Sequence, residues 1–133
     1  MISTNFLFES IFSSYQFDIV VNLAGYNHDR LIHKYDEESI FEAEKQIRIN
    51  VLGNVNLLAA CLPKMRSSGF GRVILVSSVL ASKPVIGTSV YSASKAFIDN
   101  IVKTTALETA VLENKETLIE NKKNWSSHLK INS

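Results

Sequence analysis

A single cysteine, Cys61, stands in 133 residues, which excludes an internal disulfide framework and a cysteine-built zinc site. Prolines number two and glycines five. Gly25, Gly53, Gly69, Gly71 and Gly87 stand apart, so that no G-x-G-x-x-G or looser equivalent occurs; the commonest phosphate-cradling turn is missing. Charge of one sign is missing too. Fourteen Lys and Arg against thirteen Asp and Glu leave a formal net charge of +1, which gives no electrostatic footprint for a nucleic-acid partner. No apolar stretch nears the roughly 20 residues of a membrane span. The amino terminus lacks the basic region of a secretory leader, and Glu9 with no arginine nearby argues against a mitochondrial presequence. A reducing cytoplasm is the expected location. His28 and His33 are five apart, poor spacing for a metal on a helix, and read as surface residues.

What is present fits a globular chain: 46% of residues are hydrophobic and 20% charged. Phe8, Ile11, Phe12 and Tyr15 recur at helical spacing within residues 1–16. Phe17 to Asn22 is a short apolar run closed by Asn22-Leu23-Ala24-Gly25, where small residues let a ligand approach the backbone. A second run, Gly71 to Ser78, is rich in β-branched residues and ends in two serines. Both read as strands buried on both faces, as in a parallel sheet. Between them, Asp36 to Met65 carries Ile40, Phe41, Ala43, Ile47, Val51, Leu52, Val55, Leu58, Cys61, Leu62 and Met65 at spacings of three and four. This predicts one helix, or two in series, with that apolar face buried. Asp36 is its expected cap, ahead of Glu37 and Glu38. Cys61, on the stripe, reads as a small core residue. Asn50 adjoins the stripe and is either bonded to local backbone at a helix irregularity or part of a site. A further helix is expected from Gly87 to about Ala110.

That last helix opens with Tyr91-Ser92-Ala93-Ser94-Lys95. Residues four apart on a helix share a face, so the ammonium can sit beside the phenol. A cation about 4 Å from a phenol, at an effective dielectric of about 20, is worth roughly 4 kcal/mol, or about three pKa units. Such a phenol exchanges protons near neutral pH. Tyr-x-x-x-Lys alone also describes an ordinary helix-surface pair. Its context is what raises it. In open α/β sheets ligands bind outside the carboxyl ends of the strands, and Asn22 to Gly25 and Ser78 both lie at such ends.

With Asn22-Leu23-Ala24-Gly25, Asn50 within Arg48-Ile49-Asn50-Val51, Ser78 within Val76-Ser77-Ser78-Val79, and Tyr91 to Lys95, the chain resembles the short-chain dehydrogenase/reductase family, particularly members similar to 3-oxoacyl-carrier-protein reductases. Ser78 lies thirteen residues before Tyr91, the separation usual there, which selects it over Ser77. The resemblance covers roughly Phe17 to Ala110. It implies a doubly wound, Rossmann-like parallel sheet and hydride transfer between NAD or NADP and a small carbonyl or alcohol substrate. Tyr91 would be the proton donor and Ser78 would polarise the substrate carbonyl. Lys95 would tune the phenol and bind the cofactor ribose, and Asn50 would hold a proton-relaying water. Asn22, Ala24 and Gly25 would line the cofactor with Tyr91 and Lys95. It further implies a homo-oligomer formed through the two long helices, about Val51 to Met65 and Tyr91 to Ala110.

The departures define a second reading. Leu23 stands where the family usually has a second asparagine, so a polar tie between strands is expected to be lost. The glycine-rich turn and the residue that would choose between NAD and NADP have no counterpart. A doubly wound fold needs about six or seven strands, at on the order of 30 residues per βαβ unit. The expectation is therefore a partial Rossmann-like domain over 1–110, cut at both ends, and a polar helical or disordered tail over 111–133 containing Trp125. The alternative to an oxidoreductase is a catalytically silent fragment with inherited motifs.

Overall fold

The computed structural model describes residues 4–111. Its order is helix α1 (Thr4–Ser14), strand β1 (Ile19–Asn22), helix α2 (Glu37–Ile47), a π turn (Arg48–Leu52), helix α3 (Gly53–Ser67), strand β2 (Arg72–Leu75) and helix α4 (Ser89–Val111), with short 3-10 turns at Ile32–Lys34 and Val79–Ala81. The tail expected over 111–133, Trp125 included, lies from residue 112 onward outside the described residues. β1 and β2 pair in parallel, Ile19 opposite Arg72 and Asn22 opposite Leu75. A parallel pair needs a crossover, and α2, the π turn and α3 supply it.

Helix ends follow local chemistry. The Asp36 carboxylate accepts from Ser39 N at 2.9 Å, capping α2. The Ser39 hydroxyl, which donates to the same oxygen at 2.6 Å, then that backbone bond, and the Arg30 guanidinium 2.9 Å away hold the Asp36 carboxyl below its usual range. α3 stops at Gly69, whose φ of 70° suits a residue without a β-carbon. Phe70 N there donates to Met65 O at 3.2 Å, the closing bond of a Schellman turn.

The apolar core lies on one face of the sheet. Phe12 of α1 and Leu57, Cys61 and Met65 of α3 are buried against Phe8, Val20, Val73 and Leu75. α4 packs on the same face, where Val102 and Ala106 line an apolar groove with Leu58, Leu62, Val73 and Leu75. Cys61 is fully buried, and that burial raises its thiol pKa to about 11. The core reading of Cys61 holds.

Two expectations are corrected. Neither strand is buried on both faces: Val20 of β1 and Val73 and Leu75 of β2 face the helices, whereas Ile19, Val21, Ile74 and Val76 are exposed. The cause is that α1, α3 and α4 all cover one side of the pair. The apolar stripe of the crossover also divides. Its carboxyl half is core, but Ile40, Phe41, Ile47 and Leu52 face outward. Ser39, Gln46, Asn50 and Asn54 are buried instead. They sit seven, four and four apart, one face of a helix. Burying that many polar groups demands partners, and the partners make the site.

Candidate active site

The π turn widens the helix at the point where Asn50 must look inward. Such single-turn bulges are rare and concentrate at functional sites. Asn50 is fully buried and its amide is saturated on one side: Nδ2 donates to Tyr26 O at 2.8 Å and to Ser94 Oγ at 2.9 Å, and Oδ1 accepts from Tyr26 N at 2.8 Å. The partners of its side chain are not local backbone: Tyr26 is 24 residues away and Ser94 is 44. It sits at a helix irregularity, and it ties the loop after β1 to α4.

Asn22, at the end of β1, accepts from Ala24 N through Oδ1 at 3.0 Å and donates through Nδ2 to Asn54 Oδ1 at 2.8 Å. Asn54 Nδ2 donates in turn to Asn50 O at 2.7 Å. These bonds tie the end of β1 to α3, not to a neighbouring strand. Sequence reasoning passed over Asn54, although its four-residue separation from Asn50 placed it on the same helix face.

Tyr91 and Lys95 occupy the first two turns of α4. That start is fastened by Thr88, whose Oγ1 donates to Val85 O at 2.8 Å and lies 2.7 Å from Ser92 Oγ. The Lys95 ammonium is 5.7 Å from the centre of the Tyr91 ring and donates to Val76 O at 2.9 Å. Ser77 Oγ donates to Lys95 O at 3.1 Å, so the strand end carrying the two serines is pinned to the helix carrying the tyrosine. Ser78 caps the next turn, accepting from Leu80 N at 3.2 Å, and acceptance leaves its hydroxyl proton free to donate.

Lys95 is only 4% exposed and forms no ion pair among the described residues. Burial lowers its pKa, as desolvation does for any cation. One of its three donors has a protein partner. Ala24 and Gly25 are exposed, and a β-carbon at Gly25 would sit 3.4 Å from Lys95 Nζ and 3.9 Å from Asn50 Oδ1. The backbone at Gly25, with no side chain, therefore lies next to the ammonium. Asn22, Gly25, Asn50, Tyr91 and Lys95 thus form one neighbourhood, and Ser78 lies two residues beyond the carbonyl that Lys95 binds.

A second cluster was not foreseen. The Tyr26 hydroxyl donates to the Glu42 carboxylate, and Lys45 Nζ lies 4.0 Å from the Tyr26 ring centre and 3.7 Å from Glu42 Oε2. The Tyr26 bond lowers the Glu42 pKa, and the nearness of the Tyr26 side chain and of the Glu42 charge raises that of Lys45. Glu42 and Lys45, three apart on a helix, were the available signal. His33 is exposed as expected, but His28 is not a simple surface residue: its Nε2 is buried without a partner and its carbonyl accepts from Gln46 Nε2 at 3.0 Å.

The family model for short chain dehydrogenases matches residues 5–113. The chain belongs to the short chain dehydrogenase family. Its relatives in this oxidoreductase family include an L-xylo-3-hexulose reductase of Hypocrea jecorina, 36% identical over 72% of this chain and 32% of the relative. An acetoacetyl-CoA reductase of Rhizobium meliloti is 37% identical over 70% of this chain and 37% of the relative. A 3-oxoacyl-[acyl-carrier-protein] reductase of Aquifex aeolicus is 31% identical over 81% and 43%. Among solved structures, the closed form of a serine dehydrogenase complexed with NADP+ superposes with a TM-score of 0.73 at 28% identity, over 79% of this chain and 44% of that one. The short chain dehydrogenase chain described here thus spans less than half the length of these relatives, and its α/β architecture is part of their Rossmann-type fold. No helix of the described residues is long and apolar enough to cross a membrane.

Proposed function

We propose that these residues form the proton-transfer centre of an NAD(P)-dependent reductase that interconverts a small carbonyl compound and its alcohol. The observation that carries this reading is the buried, singly partnered ammonium of Lys95, held one helical turn from Tyr91 and adjacent to Gly25, which carries no side chain. The cofactor, when bound, supplies or accepts the hydride. Tyr91 gives its phenolic proton to the carbonyl oxygen in reduction and takes one in oxidation. Lys95, cationic, favours the phenolate left behind and offers its two remaining donors to ribose hydroxyls. Ser78 donates its hydroxyl proton to the same substrate oxygen and fixes its direction. Asn50 holds the loop Ala24-Gly25-Tyr26 against α4, with the unused lone pair of Oδ1 as a seat for a relaying water. Asn22, Ala24 and Gly25 line the cofactor side, where small residues let it approach the backbone.

Two further parts of the proposal concern context. The family's pairing of long helices is supported here by Leu52 and Leu107, which are exposed, and a homo-oligomer would cover them. The cytoplasm is the proposed location, and the substrate partner is a small molecule; nucleic acid and membrane are not proposed as partners.

A second reading, a silent domain with idle motifs, is favoured by one observation: these 133 residues contain no glycine-rich turn, so pyrophosphate recognition has no counterpart in them. Titration of the purified chain with NADPH, followed by cofactor fluorescence, separates the two. The reductase reading expects weak saturation, with Kd about 1 mM, lost in Lys95→Met. Identical curves for both proteins, or no binding by either, would favour the silent domain.

A further inference from the structure

Four hydrogen bonds run in one direction through the buried polar face. Asn22 Nδ2 donates to Asn54 Oδ1 at 2.8 Å, Asn54 Nδ2 to Asn50 O at 2.7 Å, Asn50 Nδ2 to Ser94 Oγ at 2.9 Å, and Ser94 Oγ to Tyr91 O at 2.7 Å. The series joins the end of β1, α3, the π turn and the first turns of α4. Asn54, Asn50 and Ser94 are each at most 2% exposed.

The direction is forced by backbone groups along the way. Ala24 N–H must meet an acceptor, so Asn22 turns Oδ1 to it and Nδ2 to Asn54. Asn54 must then accept with Oδ1 and present Nδ2 to the Asn50 carbonyl, because the reversed amide would set two oxygens face to face. Tyr26 N–H likewise fixes Asn50 Oδ1, which sends Nδ2 toward Ser94. Ser94, accepting from Asn50, has one proton left, and it goes to Tyr91 O. No amide can flip without breaking a bond to the backbone, and the series passes through Asn50 by its backbone carbonyl on one side and its side-chain amide on the other.

From this geometry we infer that Asn54 and Ser94 are positioning residues, which fix the strand end at Asn22 to Gly25 and the helix turn bearing Tyr91 in one relative placement through Asn50. The catalytic meaning of that placement rests on the reductase reading; the coupling itself does not. Asn54 touches neither Ser94 nor Tyr91 among these bonds, and Ser94 does not touch Asn22, so effects carried from one to the other identify the relay.

The test is a double-mutant cycle on the full chain, with Asn54→Ala and Ser94→Ala read as urea unfolding equilibria. Each cut removes one of the bonds that hold Asn50, at its backbone carbonyl or at its side-chain amide, so the combined loss should fall short of the product of the single losses by about fivefold or more. A product reproduced within about twofold overturns the relay. Should Asn54→Ala fail to fold, the unaltered chain still decides: side-chain amide protons of Asn22, Asn54 and Asn50 should exchange at least about tenfold more slowly than those of exposed Asn27, and equal rates overturn the proposal. A local packing role is separated from a relay by Asn22→Ala, which should move the backbone amide resonance of Ser94; an unmoved resonance sinks the inference. Failure of NADPH to bind the unaltered chain would count against the reductase reading and leave these outcomes standing.

Discussion

Gly25→Ala adds one methyl group beside the candidate ammonium, and the structure separates what this does to folding from what it does to binding. Gly25 is not among the glycines with positive φ, which are Gly69 and Gly87, so alanine meets no backbone strain. Its β-carbon would lie 3.4 Å from Lys95 Nζ and 3.9 Å from Asn50 Oδ1, ordinary contact distances. Stability should change by no more than about 1 kcal/mol, in the stabilising direction if the lower entropy of the unfolded chain dominates. The same methyl fills the space through which a ribose hydroxyl or a water would reach Lys95, so cofactor affinity should fall at least about tenfold, or about 1.4 kcal/mol. Gly71→Ala is the contrasting control. There the β-carbon would sit 2.4 to 2.5 Å from Met65 Cγ, Cβ and Sδ, an overlap expected to cost about 1–3 kcal/mol. Urea unfolding followed by circular dichroism and NADPH fluorescence titration measure the two effects. Equal destabilisation by both substitutions, or unimpaired cofactor binding by Gly25→Ala, would refute the reasoning.

Tyr91→Phe should lower kcat for carbonyl reduction by about 100-fold or more, read as loss of NADPH absorbance. Cys61→Ala should leave the rate of the folded fraction alone, and equal losses would indicate a folding effect. The Cys61 thiol, raised from 9.0 to about 11, stabilises the fold fully below pH 9, and that stability is lost as pH rises through 11; two units correspond to about 2–3 kcal/mol. Alkaline urea titrations should therefore show a shallower loss from pH 9 to 11 in Cys61→Ala than in the unaltered chain, and parallel curves would contradict the buried placement. Lys95 has the opposite sign: its pKa is lowered below 10.5 by burial, so the unfolded chain binds the extra proton between the two values and stability rises with pH there. Lys95→Met should remove that rise while abolishing cofactor affinity.

Much of the fold was legible because it rests on local pattern. Asp36 ahead of two glutamates announced the cap of α2, the apolar runs announced β1 and β2, and the Tyr91 to Lys95 spacing put both side chains on one side of α4. The opposite assignment of α2's buried side shows the limit. Ile40, Phe41 and Ile47 make the apolar stripe that periodicity selects, yet Ser39, Gln46 and Asn50 face inward, because the loop after β1 presents Tyr26 and His28 backbone groups that need partners.

Residue order by itself determined which chemical groups the protein carries and how they are spaced along each element, since helix and strand periods are properties of the backbone. Tertiary structure alone decided that the Lys95 ammonium is buried against Val76 O, that Asn54 of α3 bonds Asn22 at the end of β1, and that Ser94 meets Asn50 across 44 positions of chain. The physical reason is that hydrogen-bond partners distant in sequence are chosen by how the crossover helix lies on the sheet. No local pattern encodes that choice.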